Sequence, residues 1–163
     1  MVEVSGEDKL IFSVQRDSNP VLYDLRERKV ISKLSLANRL GNPTLRFRRR
    51  AHELWADDYD TLLRLDPSDW HVTDSLLLQG SISGSRHFIG EFCFSQDESL
   101  CVVPRPFSGD VVALETTGFR ITHICKLGQQ PLVAALLTDG TVYGRDWKTG
   151  VPLKGRLKKK WIN

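Results

Sequence analysis

Cysteine is scarce in this sequence of 163 residues, with only Cys93, Cys101 and Cys125. An odd count this low excludes the disulfide framework of a small secreted domain, so we expect buried thiols in a cytoplasmic protein. Long apolar runs are also absent, and none approaches the eighteen or so residues that a membrane helix needs. The first ten residues contain three acids and no apolar core, unlike a secretory signal. We therefore expect no membrane partner.

An excess of either charge is lacking too. Lys and Arg together number 23 and Asp and Glu 20, which gives a formal net charge of +3. So small an excess does not by itself indicate a nucleic-acid partner. Hydrophobic residues make up 40% and charged residues 26% of the chain, which is typical of a globular protein and excludes collagen, a coiled coil and a disordered tail. No window has the 3.6-residue periodicity of an amphipathic helix, so the chain is predicted to be all-β.

Short apolar stretches recur four times along the chain, separated by turn residues such as Gly140 and Gly150. In each repeat the second stretch closes on an acidic residue: Asp24, Asp66, Glu115 and Asp146. Strand–turn–strand units that repeat every forty or so residues are typical of propeller blades. We predict one β-propeller-like domain of about four blades, with these approximate boundaries: 8–40, 41–85, 86–128 and 129–157, followed by a basic tail at 158–163.

The number of strands leaves open how such a propeller is completed. Repeat one is predicted to begin at its second strand, because few residues precede Leu10, and repeat four is short. Four repeats either close as a small ring or form part of a larger propeller that a second copy, a partner chain or further sequence completes. Residues 157–162 are a candidate for completing blade one, although the lysines there suit an edge strand better. The mass in solution distinguishes a closed ring from a half-propeller.

Residues 139–150 carry the most specific motif, DGTVYGRDWKTG. It resembles the end of a WD40 repeat: a D-G turn, a strand, the Asp of the W-D dipeptide, and a turn closed by T-G. Arg145 stands where the family has Trp, Trp147 follows the Asp, and the family's Gly-His dipeptide is absent from all four repeats. The resemblance implies a propeller that presents loops to partners, with Asp146 holding the last turn.

Catalytic motifs are missing. The nucleophile elbow, the Walker loop, the dinucleotide fingerprint and the zinc helix are all absent, and the four histidines lack metal-ligand spacing. We predict no catalytic residue, no metal and no cofactor. Asp57, Asp58 and Asp60 crowd one turn that would suit calcium, but a solvated hairpin turn is the favoured interpretation. A propeller enzyme of the lactonase or lyase type is the third hypothesis for function, because such sites gather ligands from distant loops.

Two of the cysteines flank the loop at 95–99. If the hairpin is centred on Asp97, Cys93 and Cys101 lie opposite each other, near the longest separation that a disulfide tolerates. A slip of one residue pairs Phe94 with Cys101 instead and sends the thiols to opposite faces. Buried free thiols are the favoured prediction.

Basic residues concentrate in two stretches. They are Arg46, Arg48, Arg49 and Arg50, and the tail residues Lys158, Lys159 and Lys160 followed by Trp161. We predict a non-catalytic protein-binding scaffold, or a subunit of a larger assembly, whose basic tail anchors an acidic surface of a protein partner. The alternative is a nucleic-acid-associated subunit that uses both stretches for phosphates and Trp161 for base stacking.

Overall fold

The computed structural model describes residues 2–4, 9–12, 21–33, 44–66, 69–78 and 88–159. These ranges contain sixteen β-strands, β1 to β16, in four sheets. The helical segments in them are two single 3₁₀ turns, Arg49–Ala51 and Pro106–Ser108, and neither is long and apolar enough to cross a membrane. The prediction of an all-β chain with about four repeated sheets is confirmed.

The first sheet contains four strands in chain order: β1 (Val2–Val4), β2 (Lys9–Phe12), β3 (Val21–Asp24) and β4 (Lys29–Lys33). Strand β1 pairs with β2 in antiparallel register from Val2↔Phe12 to Val4↔Leu10. The expectation that repeat one begins at its second strand is therefore wrong. Three residues suffice for this strand because the neighbouring strand supplies the partners of its ladder hydrogen bonds.

The second sheet also runs in chain order: β5 (Leu45–Arg48), β6 (Glu53–Asp58), β7 (Thr61–Leu65) and β8 (Val72–Leu77). Alternation along β5 buries Leu45 and Phe47, as expected for a strand with one face on the core. Leu45 and Leu54 of this sheet share a hydrophobic core with Leu22 of the first sheet. The two sheets, up to Ser75 in β8, belong to one compact unit, Met1–Ser75.

The third sheet has five strands, in the order β16-β12-β11-β10-β9. Their ranges are β9 (Cys93–Phe94), β10 (Leu100–Arg105), β11 (Asp110–Glu115), β12 (Arg120–Lys126) and β16 (Lys158–Lys159). Strand β16 pairs with the outer edge of β12, at Ile124↔Lys158 and His123↔Lys159. The structure thus places the start of the tail at the edge of this sheet, not in blade one. An edge position suits lysine because its side chain can stay in water.

The fourth sheet has three strands: β13 (Pro131–Leu136), β14 (Thr141–Asp146) and β15 (Pro152–Arg156). The shortness of repeat four accounts for the small number of strands. Val142 of β14 packs in one core with Val102, Ala113 and Cys125 of the third sheet. These two sheets form the second compact unit, residues 76–163.

Around the cysteines, the strands pair in the alternative register, which is shifted by one residue. Cys101 pairs with Phe94, and Cys93 pairs with Val102, so Cys93 and Cys101 do not lie opposite each other. All three thiols are free. The Cys93 thiol donates to the carbonyl of Ala134 (3.2 Å), and burial raises the pKa of the Cys101 thiol well above its usual range.

Candidate functional site

One hairpin geometry recurs in all four sheets. An acidic residue stands at the end of one strand or directly after it, and the residue four positions later has a positive φ. The acidic residues are the four that the repeat pattern aligned: Asp24, Asp66, Glu115 and Asp146. The residues with positive φ are Arg28 (51°), Trp70 (65°), Phe119 (49°) and Gly150 (70°). The four repeats therefore share a loop conformation as well as a spacing.

Asp146 holds its loop with both carboxylate oxygens. Its Oδ1 accepts hydrogen bonds from Lys148 N (3.1 Å), Thr149 N (2.7 Å) and Thr149 Oγ1 (2.7 Å). Its Oδ2 accepts one from Gln130 N (2.9 Å). The Thr149 hydroxyl and then the Thr149 and Gln130 backbone amides lower the pKa of Asp146 to about 2. The carboxylate is thus ionised at neutral pH and bridges two loops.

Of the other three acidic residues, Asp24 repeats the hydrogen bonds of Asp146, and Asp66 and Glu115 form different ones. Asp24 Oδ1 accepts from Arg26 N and Glu27 N, each at 2.9 Å, in the same pattern as Asp146. Asp66 closes its loop through its backbone, since its N–H donates to His71 O (2.9 Å). The longer side chain of Glu115 instead pairs with Arg120 Nε (3.0 Å). A short Asp side chain is what allows the bond to the loop backbone.

The two glycines predicted as turn residues both have positive φ, 81° at Gly140 and 70° at Gly150. Gly140 N donates to Leu137 O (3.0 Å) and closes the turn between β13 and β14. Gly140 O in turn accepts from Leu157 N (3.0 Å). Glycine reaches this conformation without the Cβ clash that other residues meet.

We expect Asp146→Ala to lower the urea midpoint of unfolding at pH 7, because four donors lose their acceptor. The pKa of Asp146 in the folded protein is about 2, below the ordinary value of 3.8. The carboxylate therefore contributes its full stabilisation at pH values above 3.8, and the stabilisation is lost as the pH falls through 2. The difference in midpoint between the wild type and the variant should therefore shrink between about pH 5 and pH 2. Glu91→Gln, which removes an exposed carboxylate, is the control. A difference independent of pH would contradict the role of the charge.

The arginines of the first basic stretch do not act as one cationic patch. Arg48 Nη1 is bonded to Glu53 Oε2 (3.1 Å) across the β5–β6 pair, and both side chains are largely buried. Arg46 Nη1 donates to Leu45 O (3.1 Å). Arg49 and Arg50 are exposed in the 3₁₀ turn. The ion pair with the facing Glu53 therefore removes Arg48 from the predicted surface.

The tail is described only up to residue 159. Lys158 is exposed on the edge strand β16, and Lys159 pairs through its backbone with His123. Lys160 and Trp161, the other predicted contact residues, lie outside the described residues. The anchoring role of the tail stays a prediction.

The acidic turn between β6 and β7 does not gather its carboxylates. Asp57 is buried, and its Oδ1 accepts a hydrogen bond from Thr44 N. Asp60 Oδ1 accepts from Thr61 Oγ1 (3.0 Å). Across the part of the chain that the structure describes, no three His, Cys, Asp or Glu side chains are placed to hold a metal ion.

Three aromatic rings that the sequence analysis did not connect meet at the surface of the second unit. The centroid of Phe88 lies 5.1 Å from that of Trp147 and 5.4 Å from that of Phe107, and Phe107 and Trp147 are 6.4 Å apart, all edge to face. Phe88 precedes β9, Phe107 lies in the 3₁₀ turn before β11, and Trp147 begins the loop after β14. Trp147 is 45% exposed and Phe107 38%. We call these three residues the aromatic cluster.

A cavity of about 430 Å³ opens beside this cluster. It is lined by Leu132 and Val133 of β13 and by residues 145–150. Arg145 Nε donates to Gly150 O (3.3 Å), which lays the guanidinium along the loop. Arg145 and Lys148 are exposed, and within the described ranges neither forms an ion pair. The aromatic cluster, the cavity and these two cations together form the candidate binding surface.

Four antiparallel sheets with one recurring hairpin define a β-propeller type of repeat fold. Solved structures similar to this chain are β-propeller proteins. They include hydrazine synthase from Kuenenia stuttgartiensis (14% identity, TM-score 0.68), BamB from Moraxella catarrhalis (10%, 0.67) and the dihydro-heme d1 dehydrogenase NirN in complex with DHE (13%, 0.64). No protein-family model and no curated protein matches the sequence.

The similarity to these three structures covers 99%, 96% and 94% of this chain but 49%, 42% and 37% of theirs, respectively. The chain thus spans less than half the length of each neighbour. At such low identity the likeness shows the fold alone, and it supports a propeller without singling out the WD40 family. Because one fold hosts many functions, the function has to be argued from the site.

Proposed function

We propose that this chain is a non-catalytic protein-binding module, a scaffold or subunit of a larger assembly, and that it binds its partner through the candidate binding surface. The observation that carries the proposal is the aromatic cluster. Large aromatic side chains are usually buried, and a group of them left at a surface is typical of an interaction site. Trp147 is also of the residue type that most often dominates binding energy at interfaces.

The cluster is held in place before any partner arrives. Trp147 N donates to Gln130 O (2.8 Å), and Asp146, the residue before it, bridges the same two loops. The edge-to-face contacts with Phe88 and Phe107 then limit the rotation of the indole. A side chain that is already ordered loses little conformational entropy on binding, so more of its contact energy contributes to affinity.

The cavity gives the cluster a place to receive a side chain. Its volume of about 430 Å³ lies within the range typical of ligand-binding clefts. Apolar Leu132 and Val133 line one side, and the polar loop after β14 lines the other. The cavity can therefore contact an apolar group on one side and polar or charged groups on the other.

We expect Trp147→Ser to abolish partner binding and leave the fold intact, because the indole is nearly half exposed. The immobilised chain is incubated with an extract of its source cells, and retained proteins are quantified by mass spectrometry. Leu137→Ser is the matched control, since Leu137 is 49% exposed but lies in the turn between β13 and β14. The proteins that the wild type and the control retain should be recovered in amounts lower by about tenfold or more with Trp147→Ser.

Circular dichroism and thermal melting verify that both variants fold. If all three proteins retain the same set in equal amounts, the aromatic cluster is not the binding surface. If Trp147→Ser and Leu137→Ser both lose the same retained proteins, binding depends on exposed apolar side chains in general and not on this surface.

A further inference from the structure

On the basis of the proposed function, we infer that the partner presents a short acidic segment of protein, with an apolar side chain against Trp147 and carboxylates against Arg145 and Lys148. The two cations flank the indole in sequence and line the same cavity. An acidic peptide that packs an apolar group there would bring its carboxylates within reach of both.

Asp146 is the one acidic residue among the described residues that line the cavity, and it forms no ion pair with these cations. Both oxygens of Asp146 accept hydrogen bonds from the loops at 130 and 148–149. Arg145 instead directs its Nε to the carbonyl of Gly150, and no carboxylate in the described part of the chain forms an ion pair with its guanidinium. An exposed guanidinium presents a planar set of donors that matches the two oxygens of a carboxylate.

The chain segment that contains Arg145 and Lys148 carries an excess of basic residues, and the exposed Glu91, whose N–H donates to Leu132 O (2.8 Å), is an acidic residue nearby. Residues 131–159 contain six basic residues and two acidic ones, Asp139 and Asp146. Asp139 is engaged in its own turn, where it accepts from Thr141 N and Thr141 Oγ1, each at 2.9 Å. A field of this sign attracts an acidic segment and repels a basic one, which sets specificity and association rate.

Protein fits the surface better than nucleic acid does. The three rings pack edge to face against one another, so they do not form a series of parallel platforms for successive bases. Two cations beside one cavity suit one or two carboxylates, whereas a nucleic-acid strand needs a track of cations along its phosphates. The apolar wall of Leu132 and Val133 requires an apolar group from the ligand.

Defined probes test the inference. We would measure fluorescence anisotropy with labelled octapeptides of alternating Glu and Leu, of alternating Lys and Leu, and of Glu alone, and with an octathymidylate. The Glu–Leu peptide should bind most tightly. The double variant Arg145→Glu and Lys148→Glu should weaken its binding by about tenfold or more, as should Trp147→Ser. The control is Lys154→Glu, a cation of the same sheet that lies over the ring of Tyr143, and it should change the affinity by no more than about twofold.

The outcomes separate the acidic partner from the proposed surface. If the Lys–Leu peptide binds as tightly as the Glu–Leu peptide and Trp147→Ser weakens both, the surface stands and the acidic chemistry is wrong. Tightest binding of the Glu-only peptide or of octathymidylate, unaffected by Trp147→Ser, would show attraction by charge alone and overturn the inference. The inference of an acidic partner would also be overturned if no probe bound the wild type more tightly than it bound Trp147→Ser. In that case the retention experiment with the cell extract would still test whether the candidate binding surface binds a protein.

Discussion

Gly90→Ala should lower the free energy of unfolding by about 3 kcal/mol, the upper part of the range for an overpacked side chain. A Cβ atom on Gly90 would lie 2.1 Å from Leu132 O and 2.8 Å from Pro104 Cβ. Neither neighbour can move away easily, because Gly90 N donates to Pro104 O and Glu91 N donates to Leu132 O, both at 2.8 Å. The added methyl group would therefore push the chain at Gly90 away from β10 and β13 and break these bonds.

Urea denaturation followed by circular dichroism measures this loss. Gly118→Ala is the control, because a Cβ there would meet only the ends of flexible side chains, Glu115 Oε2 at 3.3 Å and Arg120 Nε at 3.4 Å. We expect the control to lose less than about 1 kcal/mol. Equal losses in the two variants would show that the packing around Gly90 accepts a methyl group.

Asp110→Ala should cost about 3 kcal/mol, the lower end of the range for removing one partner of a buried ion pair. The Asp110 side chain is completely buried. Arg105 Nε lies 2.7 Å from Oδ1 and Arg105 Nη2 2.9 Å from Oδ2, while Lys126 Nζ approaches Oδ2 at 2.7 Å. Without the carboxylate, the largely buried guanidinium of Arg105 would lose both of these hydrogen bonds and keep the one from its Nη1 to Leu78 O (3.1 Å). Lys126 is mostly exposed and returns to water, which limits the loss.

The matched control for this prediction is Glu115→Ala, measured by the same denaturation. Glu115 and Arg120 also form a carboxylate–guanidinium pair, but the exposed fractions of their side chains are 40% and 67%. An exposed pair contributes at most about 1 kcal/mol. Should the two variants lose the same free energy, the burial of Asp110 would not be what makes its ion pair matter.

Local features of the candidate site were predictable. The strand β14 and the loop after it follow from a period-two apolar pattern between D-G and T-G turns. Asp146 was singled out for that loop, and its carboxylate accepts the loop hydrogen bonds. Each of these features depends on residues close together in the chain, so the sequence of one segment contains the necessary information.

Features that join distant segments were not predictable. The pairing of Arg48 with Glu53 depends on the register of β5 and β6, and the addition of β16 to β12 joins strands far apart in the chain. The sequence does not predict strand β1, because its alternation, Val-Glu-Val, spans only three residues, which is too few to indicate a strand. The basic stretch at Arg46–Arg50 looked uniform in sequence, but Glu53 of the paired strand faces Arg48, whereas Arg49 and Arg50 lie in the 3₁₀ turn after the strand.

The sequence by itself determined that the chain forms repeated antiparallel strands joined by loops that follow an acidic residue, because strand alternation and turn chemistry act over a few residues. Only the tertiary structure decided where the candidate binding surface lies. Phe88, Phe107 and Trp147 belong to three segments, and no local pattern relates one to another. They meet because the third and fourth sheets share a core around Val102 and Val142, and that packing brings the ends of their strands together.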